Sequence, residues 1–307
     1  MLSVVIPTYR RPAMLAELLE ALDPQLAAAP DTEALILDNC PDASALAQAE
    51  AAMAALPHGR MRYVHVPRPG VVEARNAGVA AAYAPYILFL DDDEVPVPGW
   101  LDSFRAMADG RAAMVFGRIL ARYETPPAPA LHPLLNTTYS RDLPAAQGAD
   151  ITAHIAYLGT GNAMFLKSAC LAAEPPFDPY FNRIGGEDIW MIRQAVACGA
   201  RALWNPVGLV DELVPATRAT MTSLSSRKFH QGRQRCLFLA RERGLRARAE
   251  LGLWMGVGAL QLAGYATLTA IHRLTGSARA TEYAVRQRSG LGKLLWWRSD
   301  EQARYAS

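Results

Sequence analysis

The tightest constraint on this chain is a short apolar run, residues 86–90 (YILFL), that ends in four consecutive acids, Asp91, Asp92, Asp93 and Glu94. An apolar run of that length and composition reads as a buried strand. Carboxylates crowded behind it repel one another and raise each other's pKa. A divalent cation removes that repulsion, and hard oxygen ligands suit Mg²⁺ or Mn²⁺. The competing explanation is a solvated acidic turn.

The segments before this run set its context. Residues 2–6 read as a strand stopped by Pro7. Pro12 can open a helix at its first turn, where a missing N–H costs nothing, and Leu15, Leu18, Leu19 and Leu22 follow at helical spacing. Further strands are predicted at 34–37 and 62–66, with helices at 44–55 and 72–83. Such alternation implies an α/β domain with a parallel sheet and helices on both faces. Ligands bind such sheets beyond the carboxyl ends of the strands. Those ends carry Pro7, Thr8, Tyr9 and Arg10, then Asp38 and Asn39, then the four acids.

Residues 122–155 lack periodicity and read as a long excursion of the lid or binding-loop kind. Order returns at Gly159, Thr160, Gly161 and Asn162. Gly185, Gly186, Glu187 and Asp188 then open a helix whose apolar face holds Ile189, Ile192 and Val196. Asp188 is open to two readings: a first-turn acid favoured by the helix dipole, or a carboxylate base acting on a hydroxyl.

Composition excludes disorder, with 51% hydrophobic and 20% charged residues in a chain of 307. Four scattered cysteines suit a reducing compartment, and no basic segment precedes the first strand as a secretory signal would require. The net charge of +2 hides a division. Residues 1–226 carry 16 Lys/Arg against 24 Asp/Glu, and residues 227–307 carry 15 against 5. A basic tail points to an anionic partner, nucleic acid or a membrane surface; no nucleic-acid reading motif is present. Residues 251–271 hold no charge and as a helix would extend about 31 Å. They are expected to lie on a membrane interface, to span it, or to form a buried core helix. Trp296 and Trp297 beside Lys293 and Arg298 favour the interface.

The runs VVIPTYRRP, LDN, RPGVVEARNAGVAAA, YILFLDDDEVPVPGWL, GTGNAMF, GGEDIWMIRQAVACGA and VDELVPATRATM occur in this order over residues 1–235. Together they resemble family 2 glycosyltransferases of the GT-A fold, and within them bacterial exopolysaccharide enzymes of the succinoglycan type. The resemblance implies a catalytic domain over 1–220 and a helical basic region over 221–307. It implies an inverting, metal-dependent enzyme at the cytoplasmic face of the cell membrane, taking a nucleotide-sugar such as a UDP-sugar as donor and a glycan or polyprenyl-linked glycan as acceptor. It also implies roles: Pro7, Thr8, Arg10, Asp38, Arg75, Asn76, Asp91 and Asp92 about the nucleotide, and Asp93 with Asp91 on the metal. Gly161, Asn162 and Trp100 would lie toward the acceptor, Asp188 would be the catalytic base, and Glu187 would contact the acceptor. Two departures stand out: Glu73 adds a charge near the diphosphate region, and Asp211 and Glu212 stand where many relatives carry His. A sugar-phosphate nucleotidyltransferase is the rival enzyme, although PTYRRP lacks the glycines of a triphosphate loop. A non-catalytic, membrane-bound sugar-binding subunit is the rival outside catalysis.

Overall fold

The computed structural model describes residues 1–55, 59–182, 184–277 and 279–298. The chain divides into two compact units: Met1–Arg122 with Ser140–Leu213, and Tyr123–Tyr139 with the segment from Val214 onward.

In the first unit, β1 (Leu2–Thr8), β2 (Thr32–Asp38), β3 (Met61–His65) and β4 (Tyr86–Phe89) alternate with α1 (Pro12–Ala27), α2 (Leu46–Ala55) and α3 (Val71–Ala81). After these come β5 (Glu94–Pro96), α4 (Trp100–Met107), β6 (Met114–Tyr123), β7 (Ala163–Leu166), α6 (Lys167–Cys170), α7 (Glu187–Ala197) and β8 (Ala202–Val214). The strands form one sheet in the order β3-β2-β1-β4-β7-β6-β8-β5.

Strands β1 and β2 are buried at nearly every position and apolar at their centres because both their faces are covered. Val4, Ile6, Ala34 and Ile36 pack with Leu15, Leu18 and Trp100 on one side. Val5, Leu35 and Leu37 pack with Val72, Phe177 and Ile192 on the other. The expectation of a parallel sheet holds for β3-β2-β1-β4 and fails beyond it. Strand β7 pairs antiparallel with β4 and with β6, and β5 pairs antiparallel with β8. Part of the expected loop after residue 122 is structured too, since β6 runs to Tyr123. Gly117, Arg118 and Arg122 break the apolar alternation of β6 and hide it from a periodicity search.

The second unit is helical: α5 (His132–Tyr139), α8 (Met221–Arg241), α9 (Leu245–Leu274) and α10 (Arg279–Leu294). The α8 cap is the Thr220 hydroxyl, which accepts from the Ser223 N–H at 3.2 Å. The long helices meet through glycines. A Cβ on Gly290 would lie 2.7 Å from the Gly258 carbonyl oxygen, and one on Gly232 would collide with the Ser289 carbonyl. Residues 251–271 fall within α9, and the buried-core expectation for them is wrong: only 6% of the most apolar stretch of α9 is buried. Leu251, Leu262 and Leu268 are half-buried, whereas Leu253 and Leu260 point outward, 65% and 76% exposed.

Candidate active site

The ends of β1 and β4 bring the first site residues together. Strand β1 ends at Thr8, opposite Asp38 on β2. The Thr8 hydroxyl donates to Asp92 Oδ2 at 2.9 Å, binding one strand end to the acidic turn of its neighbour. Arg11, at the entrance to α1, donates from Nη1 to Asp92 Oδ1 at 3.0 Å and to Asp93 Oδ2 at 3.1 Å. Burial and the nearby Asp93 push the Asp92 carboxyl up to about 6, against the pull of Arg11.

A second guanidinium ties this cluster to the head of α7. Buried Arg75 on α3 donates from Nη1 to Glu187 Oε1 at 2.6 Å, and its Nη2 lies 3.6 Å from Asp91 Oδ1. Burial opposes the Arg75 charge, but Glu187, Asp91 and Asp188 outweigh it and hold its pKa up. The Asp91 carboxyl is shifted up by burial and by Asp93 and Asp188, with Arg75 pulling the other way. Gly185 and Gly186 adopt positive φ, 69° and 94°, which lets the chain turn sharply into α7 with Glu187 and Asp188 in its first turn.

The opposite wall is the GTGN loop. A Cβ on Gly161 would lie 2.7 Å from Glu94 Oε1 and 2.9 Å from Asp91 Oδ2, so only glycine fits against the acids. Half-buried Arg141 holds the loop, donating from Nε to the Gly117 carbonyl and from Nη2 to the Gly161 and Asn162 carbonyls, each at 2.8 Å. Burial lowers its pKa to about 10, while Glu94, Glu212 and Asp91 favour its charge. Glu94 and Glu212 face each other across β5 and β8. Burial foremost, then Asp91 and Glu212, raise the Glu94 pKa well above normal.

Several expected residues do other work. Trp100 and Asn162 are fully buried, with no surface left for an acceptor. Asn162, at φ 47°, donates to the Arg118 and Gly208 carbonyls at 2.8 Å each and accepts from Trp100 Nε1 at 2.8 Å, so the pair shapes the loop from behind. Asp38 is fully buried and accepts from the Cys40 and Ala45 N–H groups and the Tyr63 hydroxyl, organising the turn after β2. Asn76 spends both amide atoms on the Phe177 backbone at 2.9 Å. Arg10 points outward to Asp42 at 3.3 Å, and Glu73 pairs with Arg68 at 3.5 Å. Pro7 is half-buried within β1. Sequence reasoning missed Arg11 and Arg141. Arg11 stood beside Arg10 in one motif, and Arg141 lay inside the segment read as a loop.

Among the described residues, no three His, Cys, Asp or Glu side chains converge as a ready-made metal cage. The donors present are carboxylate oxygens, and those of Asp91 and Asp93 each lie beside a guanidinium. This set fits Mg²⁺ or Mn²⁺ only in the form in which one or two carboxylates share the ion with substrate phosphates.

A strand-end acid cluster, a glycine loop and an acid pair at a helix head agree with the family match. The model of glycosyl transferase family 2 fits residues 3–171. The chain belongs to that family. It is a glycosyltransferase with a GT-A-like fold. It is 29% identical over 292 residues to the succinoglycan biosynthesis protein ExoM of Rhizobium meliloti (strain 1021), covering 93% of this chain and 89% of that one. It is 29% identical over 157 residues to the pre-mycofactocin glycosyltransferase of Mycobacterium tuberculosis, covering 50% of this chain and 32% of the relative. Among solved structures, the mannosyltransferase PcManGT from Pyrobaculum calidifontis, in complex with GDP-Man and Mn²⁺, superposes with TM-score 0.62 at 16% identity, covering 97% of this chain and 88% of that one. S. aureus TarS 1–349 in complex with UDP superposes at 0.55 with 15% identity, covering 94% and 90%.

Proposed function

We propose that the enzyme transfers a sugar, with inversion, from a nucleotide-diphosphate donor to a hydroxyl of a glycan or polyprenyl-linked glycan at the cytoplasmic face of a membrane. The carrying observation is the Arg75 guanidinium, which reaches both Asp91 of the acidic turn and Glu187 at the head of α7. One fixed cation thereby sets the spacing between a donor-side acid and the Glu187-Asp188 pair. That is the arrangement an in-line displacement needs, with the leaving group on one side of the sugar and a base on the other.

In this reading Asp188 takes the proton of the acceptor hydroxyl. The freed oxygen attacks C1 of the donor sugar from the face opposite the diphosphate. The C1–O bond breaks as the new one forms, its electron pair leaves on the diphosphate, and the configuration at C1 inverts. Asp91 and Asp93 would hold a Mg²⁺ or Mn²⁺ ion together with the diphosphate. When bound, that ion supplies charge neutralisation to the departing group. Arg11, now on Asp92 and Asp93, is placed to turn toward the diphosphate. Thr8 keeps Asp92 oriented, Arg141 and Gly161 hold the loop against the acids, and Glu187 keeps Arg75 in place. A UDP-sugar is the donor proposed; among proteins that share the fold, the structure of TarS holds UDP and that of PcManGT holds GDP-Man.

The test is Asp188→Asn, which preserves size and most hydrogen bonding. Turnover should fall by about 10²-fold or more while donor affinity, measured by calorimetry, stays within a few-fold. Turnover within a few-fold of the parent would remove Asp188 from the role of base.

A further inference from the structure

Helix α9 is apolar on its outward face as well as its inward one, unlike a helix that rests on a soluble core. Amphipathic helices in water turn apolar residues inward and polar ones outward. In α9 the inward positions hold Trp254, Val257, Leu262 and Leu268 together with Gln261, Tyr265, Thr269 and His272, all buried or half-buried. Tyr265 stacks on Tyr283 of α10 at 6.1 Å between ring centres, and His272 lies 5.1 Å from the same ring. The outward positions include Leu253, Leu260, Ile271 and Leu274, 65%, 76%, 49% and 90% exposed. They recur at helical spacing with Gly252, Gly256 and Ala263 between them, and no charge interrupts this face from Leu251 to Ile271. An uncharged stripe about 31 Å long is larger than a water-facing surface normally carries.

Cations and indoles lie at one end of the stripe. Arg241, Arg243 and Arg248, with Glu242, Leu251 and Trp296, line a cavity of about 660 Å³ at the turn between α8 and α9, three cations to one carboxylate. Trp297, 57% exposed, follows. Arg246 extends from the first turn of α9, and Arg273 stands at the far end. Arginines and tryptophans beside an apolar face match the boundary between phospholipid headgroups and acyl chains.

The same helices speak against a span. Helix α10 lies along α9, with Gly290 against Gly258 and Tyr283 against Tyr265. It carries Glu282, Arg286, Arg288 and Lys293 beside the uncharged stretch of α9. A spanning α9 would draw these charges into hydrocarbon, where each is costly. An α9 lying in the interface keeps α10 on the water side. Deepening the membrane part of the proposed function, on which it rests, we infer that this chain binds an anionic phospholipid surface in-plane, with the outward face of α9 among the acyl chains and a headgroup phosphate in the Arg243–Arg248–Trp296 cavity.

The test is sedimentation of the full chain with phosphatidylcholine vesicles and with mixed phosphatidylcholine–phosphatidylglycerol vesicles. Binding should require phosphatidylglycerol. About 1 M salt, where the screening length is about 3 Å, should weaken it, and alkaline carbonate should release it. Leu253→Glu with Leu260→Glu should lower the bound fraction at least about tenfold, from the lost apolar burial. Arg243→Gln with Arg248→Gln should raise the lipid needed for half-binding by about fivefold per arginine. Both double variants alter exposed positions, so donor hydrolysis in lipid-free buffer should match the parent. Loss of vesicle binding with that hydrolysis intact therefore separates this inference from the catalytic reading. Carbonate-resistant protein would overturn it in favour of a span. Equal binding by the Leu253→Glu, Leu260→Glu variant would remove α9 as the contact. A dimer in the ultracentrifuge that this variant dissociates, with no vesicle binding by the parent, would assign the face to a second copy of the chain.

Discussion

The two units break the ordinary rule of water-soluble proteins in opposite directions. The sheet unit buries charge: Asp92, Asp93, Glu94, Arg75 and Glu187 are all 7% exposed or less. The helical unit exposes apolar bulk, with Leu274 90% open to solvent. Buried charge is unfavourable unless paired, and exposed leucine is unfavourable unless something covers it. The first unit answers within itself, through Arg11 and Arg75. The second leaves α9 uncovered among the described residues. Under the two proposals above, each exception marks a surface that meets a partner, the first a charged donor and the second an apolar phase.

The comparison breaks most readily at Arg75. Arg75→Gln leaves Glu187 and Asp91 without their shared cation inside the protein. Loss of one member of a buried pair typically costs about 3–5 kcal/mol, and urea denaturation should show a loss of that size. Adding Glu187→Gln should restore part of it. If the single variant is as stable as the parent, the two acids are not held by this guanidinium.

The pH response is next in size. The Asp92 carboxyl titrates near 6 in the folded chain and near its ordinary 3.8 when unfolded. Between these values the folded state holds the extra proton. Its contribution to stability is therefore full below about pH 4 and lost as pH rises through 6. The shift is on the order of 3 kcal/mol, opposite in sign to a salt-bridged surface acid. Thermal melts from pH 4 to pH 7 should reveal it, and Mn²⁺ with a nucleoside diphosphate should flatten the slope.

Smaller effects sharpen the contrast. Trp100→Phe removes the donor to Asn162 Oδ1 and should cost about 1–3 kcal/mol, with donor affinity unchanged because the indole touches no ligand surface. Leu260→Gln in the helical unit should change stability by less than about 0.5 kcal/mol without lipid. A large loss there would mean that α9 packs against something in water.

The sequence made the parallel half of the sheet readable, because β1, β2 and β4 each carry an apolar run, and the acids close the last of them. The antiparallel half was opaque. Strand β6 carries Arg118 and Arg122, and β7 is four residues long. Motifs located the acids and the Glu187-Asp188 pair correctly in the chain. They could not tell which polar residues of a motif face a ligand and which brace the loop behind it. Arg10 and Arg11 differ only by the left-handed turn at Arg10, φ 53°, which sends one outward and the other onto Asp92 and Asp93. Asn162 and Asp38 carry side chains suited to ligands, yet Asn162 is taken by Trp100 and the Arg118 and Gly208 carbonyls, and Asp38 by its own turn and the Tyr63 hydroxyl. Pairing of that kind is set by tertiary structure, and no local pattern announces it.

The central claim is inverting sugar transfer from a nucleotide-diphosphate donor. Its most direct test supplies purified full-length protein with UDP-sugars, Mn²⁺ and a glycan acceptor, and reads both products, the nucleotide by chromatography and the new glycoside by proton NMR. The account predicts release of the nucleoside diphosphate and an anomeric configuration opposite to that of the donor. Release of pyrophosphate, or a glycoside that keeps the donor's configuration, would contradict it.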